Sequence, residues 1–147
     1  SRLSAVSMTD SLHYMRCLEP TPYITKEEFS APMYMNGRQV FKTAVMLSSR
    51  DIKALLADEG LAPEDIKYYV LHQANMRIIE AVANQMESDM SYFPHNVEYC
   101  GNTSSASVAL LLDELHRAGK LQRGDKLILS AFGAGFTTGT CLIEWTK

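Results

Sequence analysis

The compact apolar run Ile66–Leu71 ends abruptly at His72, and this boundary limits the possible folds more than any other feature of the chain. Its length and its β-branched residues Ile66 and Val70 suit a buried strand. Directly after it, Asn75 can cap a helix, and Met76, Ile79, Val82, Ala83 and Met86 fall at helical spacing. A strand that passes at once into an amphipathic helix predicts a layered α/β fold. His72 then stands just past the carboxyl end of a strand, where such folds collect ligands and chemistry.

The rest of the chain repeats the alternation. From Gly37 to Glu59, apolar residues such as Val40, Ala44, Leu47, Ile52 and Leu55 make one face of a long helix, with Gly60 as its stop. Pro63-Glu64-Asp65 reads as the first turn of a short helix. Val97–Cys100 is expected to be a short strand, and a helix should run from Ser104 to about Ala118, ended by Gly119. Leu127–Ala131 and Thr138–Glu144 are expected strands, interrupted by Phe132-Gly133-Ala134-Gly135-Phe136 and returning as an antiparallel pair. Leu3–Met8 is a further candidate strand. Thr9–Pro32 carries three of the five prolines and should be a surface excursion with a helical turn near Lys26–Phe29. The expected fold is a three-layer α/β/α sandwich around a mixed, five-stranded sheet.

Composition narrows the class. A chain of 147 residues with 46% hydrophobic residues suits one domain with a real core. A net charge of −3 gives no case for nucleic-acid binding, and no apolar run is long enough to span a bilayer. Three scattered cysteines, with no metal-ligand spacing, suit a reducing cytoplasm. A start without Met or a signal-peptide shape reads as a processed, trimmed or separately expressed chain.

The candidate chemical residues each have an ordinary structural role as well. His72 can be a loop histidine satisfied by hydrogen bonds. Gly101-Asn102 is a common turn pair ahead of a helix capped by Thr103 or Ser104. The glycines of the Phe132–Phe136 stretch can make a tight turn, or let a backbone N–H approach a developing negative charge. Their spacing matches no nucleotide fingerprint. Cys17 lies in the irregular segment, Cys100 precedes a loop, and Cys141 sits inside a strand, so none reads as a nucleophile.

Four motifs together resemble one family. Val40-Phe41-Lys42, His72-Gln73-Ala74-Asn75-Met76-Arg77, Gly101-Asn102-Thr103-Ser104-Ser105-Ala106-Ser107 and Phe132-Gly133-Ala134-Gly135-Phe136 occur in order, with an α/β pattern between them. In these motifs the chain is similar to the carboxyl-terminal half of β-ketoacyl-acyl-carrier-protein synthase III, in the thiolase-like superfamily. The resemblance runs over most of the chain, most strongly from Gly37 to Trp145.

The resemblance implies a decarboxylative Claisen condensation of an acyl thioester with malonyl-acyl-carrier protein, starting fatty-acid synthesis. His72 and Asn102 would be two members of a Cys-His-Asn triad, and the backbone N–H of Ala134 would serve an oxyanion hole. Phe41, Asn75 and Arg77 would line a pantetheine tunnel or its mouth, with Gly37, Gln73, Ala74 and Met76 also assigned to carrier-protein and pantetheine binding. Arg77 and Lys42 would meet the acidic carrier protein or a phosphate. No cofactor is implied beyond substrates carried on phosphopantetheine or coenzyme A. The family's nucleophilic cysteine lies in an amino-terminal half with no counterpart here, so the chain alone is expected to be inactive in condensation. The full enzyme is expected to be a homodimer. Two other readings fit the same residues: half of a polyketide- or alkylquinolone-type synthase, or a non-catalytic partner that binds carrier protein.

Overall fold

The computed structural model describes residues 2–7, 15–17 and 33–147. Their strands are β1 (Arg2–Ser7), β2 (Met15–Cys17), β3 (Met33–Met35), β4 (Tyr68–Leu71), β5 (Lys126–Gly133) and β6 (Thr137–Glu144). Their helices are α1 (Gly37–Glu59), α2 (Met76–Gln85), α3 (Val97–Cys100) and α4 (Ser107–Arg117). Single 3₁₀ turns lie at Pro63–Asp65, Met90–Tyr92 and Ser104–Ala106. Among these residues no helix is long and apolar enough to cross a membrane.

The main sheet has the order β1-β6-β5-β4. β4 and β5 pair in parallel, with Tyr68 opposite Leu127, while β5–β6 and β6–β1 are antiparallel. The sheet is therefore mixed, as expected, but four-stranded rather than five-stranded among the described residues. The strand expected at Val97–Cys100 is instead one turn of helix, with Cys100 N–H donating to Asn96 O and Gly101 N–H to Val97 O at 2.9 Å each. Asn96 before it and Gly101 after it, at φ 68°, punctuate a helical turn more strongly than Val97 and Tyr99 favour a strand. Strand β5 also runs on through Phe132-Gly133, so the turn to β6 is shorter than expected. Cys17 lies in β2, which pairs with β3 in a separate two-stranded ladder. The helical turn expected at Lys26–Phe29 lies outside the described residues.

Alternation along the strands divides the interior into two apolar clusters. Tyr69, Leu71 and Ile128 join α1 and α2 on one face, while Val70 and Leu127 join Leu111 and Leu115 of α4 on the other. Helix α1 has the bounds its periodicity predicts. The Asn36 side chain accepts from Gln39 N–H at its start. At its end Gly60, at φ 64°, and Leu61 return their N–H groups to Ala57 and Leu56 in a Schellman arrangement. Its burial extends beyond the apolar stripe: Thr43, Ser48, Ser49 and Asp51 are buried too. The helix packs against α2 on one side and β5 and β6 on another, and buried Asp51 accepts Thr138 Oγ1–H at 2.7 Å and two N–H bonds from Arg50. Fully buried Leu47 and Ile52 each contribute about 2 kcal/mol by leaving water.

Candidate active site

The loops at the carboxyl ends of β4 and β5 and the amino end of α4 open onto one cavity of about 1310 Å³. Its walls bring together His72, Asn102 and Ala134, the three residues assigned to chemistry from the sequence. Gly37, Phe41, Ala74, Asn75 and Arg77 line it as well. Lys42 and Met76 do not, and neither does Gln73.

His72 extends the sheet by one rung. Its N–H donates to Ser130 O of β5 at 2.8 Å, which fixes its backbone against the neighbouring strand. The imidazole is half-buried, with its edge toward the Phe132 ring at 5.3 Å between centroids. Burial pushes its pKa below the ordinary value, so the ring is neutral at pH 7. Nδ1 lies 2.6 Å from the Ser107 hydroxyl.

Gln73 points the other way. Its side chain is wholly buried, donating from Nε2 to Leu71 O at 2.8 Å and accepting Asn96 N–H on Oε1 at 3.0 Å. It braces the site from behind by joining the end of β4 to the start of α3. Asn75 caps α2 by accepting Arg77 N–H on Oδ1 at 2.9 Å. The Arg77 guanidinium stands 5.9 Å from the Phe41 ring centroid, a cation–π contact at the cavity wall. Arg38, beside Gly37, adds a second guanidinium to the lining.

Asn102 is exposed and built differently. Its Oδ1 accepts Ser104 N–H at 2.9 Å, an Asx turn that occupies the amide oxygen and settles which end of the amide is which. The turn leaves Nδ2 available to donate. Gly101 at φ 68° and Ser104 at φ 54° give this short loop two left-handed residues, the second of them unfavourable for a side chain. Behind the loop, Glu114 of α4 accepts hydrogen bonds from Asn96 Nδ2 at 3.1 Å and Tyr99 Oη at 2.7 Å.

Cys100 supplies no activated nucleophile. Burial, and then the Glu114 carboxylate, push the Cys100 thiol up, which keeps it protonated. Cys141 is half-buried and lines the cavity, rather than being buried inside the sheet. Among the described residues no group of three or more His, Cys, Asp or Glu side chains could hold a metal ion.

Comparisons with known proteins identify the family. The family model for the carboxyl-terminal region of 3-oxoacyl-[acyl-carrier-protein] synthase III matches residues 56–145. The chain belongs to this family. Beta-ketoacyl-[acyl-carrier-protein] synthase III of Clostridium acetobutylicum is 44% identical over 118 residues, covering 80% of this chain and 36% of that protein. The Helicobacter pylori protein of the same name is 38% identical over 138 residues, covering 93% and 42%. The crystal structure of the Thermus thermophilus synthase III superposes with a TM-score of 0.89 at 33% identity, over 97% of this chain and 45% of that one. The Pseudomonas aeruginosa structure gives 0.87 at 30%, over 99% and 44%. The chain thus spans less than half the length of these synthase III relatives.

Two residues of the site escaped sequence reasoning. Ser107 stood inside a quoted motif without a role, and Arg38 went unnoticed. Ser107 carried a usable signal: it occupies the same helical face as Leu111 and Leu115, so it is a hydroxyl at a core position of α4.

Proposed function

We propose that this chain supplies the enolate-stabilising half of a condensing enzyme that joins an acyl thioester to malonyl-acyl-carrier protein with loss of carbon dioxide. The observation that carries this reading is a neutral imidazole and an oriented amide lining one cavity, beside Phe132, Gly133 and Ala134 at the end of β5. Breaking the bond between malonyl C2 and its carboxylate releases carbon dioxide and leaves the electron pair on the thioester enolate. An N–H from His72 and one from Asn102 hold the enolate oxygen. C2 then attacks the acyl carbonyl carbon, a new carbon–carbon bond forms, and the acyl–sulfur bond breaks to release a cysteine thiolate. That cysteine would come from an amino-terminal partner half. Each oxyanion donor is worth about 3 kcal/mol of transition-state stabilisation.

Backbone N–H groups near Ala134 suit the second oxyanion, formed when C2 attacks the acyl group. Phe41, Ala74 and the Arg77 and Arg38 guanidinium groups suit an extended thioester arm with phosphate at its outer end. The test pairs this chain with a matching amino-terminal half and measures carbon dioxide release from malonyl-acyl-carrier protein. Condensation in the pair, strongly reduced by His72→Ala or Asn102→Ala, is the expected result. Carrier-protein binding with no release from any pairing would instead make the chain a docking subunit.

A further inference from the structure

We propose that Ser107 is a positioning residue that fixes His72 in the Nε2–H tautomer by donating its hydroxyl proton to Nδ1. This deepens the proposed function, because it says which ring nitrogen can meet the enolate. The argument rests on counting donors around one oxygen. Ser107 is 1% exposed, and its Oγ has two partners among the described residues. One is the N–H of Gln73 at 3.2 Å, which can only donate, so Oγ accepts there. The other is His72 Nδ1 at 2.6 Å.

The hydroxyl has one proton, and its side chain is almost wholly out of solvent. Were Nδ1 protonated, Oγ would accept twice and its own proton would be left without a partner in the interior. With Nδ1 as the acceptor, every group is satisfied: Gln73 N–H into Oγ, Oγ–H into Nδ1, and the remaining ring proton on Nε2. The outer nitrogen thus carries the hydrogen, which a donor to an oxyanion requires. The arrangement is stiff because Ser107 is the first residue of α4 and Gln73 follows His72 directly. The tautomer is therefore set by the joint between two elements of the fold.

Long-range ¹⁵N–¹H correlation spectra of the chain, with histidines labelled, read the tautomer directly. A neutral His72 with the proton on Nε2 is expected, and Ser107→Ala should convert it to a mixture of the two neutral forms. A wild-type His72 protonated on Nδ1 overturns the proposal, as does a Ser107→Ala spectrum identical to the wild type. In the reconstituted pair, Ser107→Ala should lower kcat about tenfold with KM unchanged, and Ser107→Thr, which keeps the hydroxyl, should restore most of it. A rise in KM together with the fall in kcat, which Thr fails to rescue, would assign Ser107 to packing. The spectra need no activity. An Nε2–H tautomer in a chain whose reconstituted pair never condenses would sink the proposed function and leave this inference standing.

Discussion

The two shoulders of the cavity reach similar ends by opposite means. On the His72 side the sheet does the holding. A backbone rung to Ser130, a wholly buried Gln73 and the Ser107 hydroxyl leave the ring little freedom. On the Asn102 side the loop holds itself, through an Asx turn to Ser104 and a carboxylate clasp from Glu114 across α3. A titratable donor needs its protonation state fixed, and burial with a defined partner does that. An amide does not titrate, so Asn102 can stand exposed and needs only its oxygen occupied. The difference suggests that each shoulder spends structure where its chemistry requires it.

The largest effects should be shared by both shoulders. His72→Ala and Asn102→Ala are each expected to cut condensation in the reconstituted enzyme by about 10²- to 10³-fold. Steady-state kinetics would break the comparison if one variant kept wild-type kcat. Next comes Gln73→Ala, which leaves Asn96 N–H unpaired in the interior and opens a cavity. It should cost about 3 kcal/mol in chemical denaturation. A loss below about 1 kcal/mol would mean the shoulders are not braced from behind. Glu114→Ala should cost less, about 1 kcal/mol, because it strips a partner from buried Asn96 Nδ2 while solvent reaches the rest of the clasp. Its activity should still fall, since the loop carrying Asn102 loosens.

The smallest effect concerns pH. The folded pKa of His72 lies below its unfolded value of 6.5, so the unfolded chain takes up the proton more readily. The contribution of neutral His72 to stability is complete above 6.5 and is lost as pH falls through the folded value. Denaturation midpoints measured across that window should decline more in the wild type than in His72→Gln. Equal slopes would show that burial does not govern the ring.

Much of this layout was legible in the sequence. The bounds of α1, the Gly60 stop, the Asn75 cap and the β5–β6 return all follow from local periodicity and capping. So does the position of His72 at a strand end. Two kinds of information were not local. Val97–Cys100 is too short for its apolar and aromatic residues to reveal a period, and its flanking Asn96 and Gly101 decided the outcome. Gln73 looked like a neighbour in a binding motif, yet strand alternation turns it to the opposite face from His72. Its partner, Asn96 N–H, is distant in sequence. The resemblance brought His72 and Asn102 together. Only the fold shows what holds each one.

The rung from His72 to Ser130 also bears on how the molecule forms. It continues the parallel pairing of β4 with β5, whose register sets Tyr68 against Leu127 across the three intervening helices α2, α3 and α4 and their loops. Closing so long a stretch of chain is entropically slow, and parallel pairing cannot begin from a hairpin. The β5–β6 return and the single helices can form early, but His72 gains its aim only when this distant pairing closes. The appearance of a competent cavity should therefore mark the end of folding, and a partly folded chain should show helix signal well before His72 shows a single tautomer.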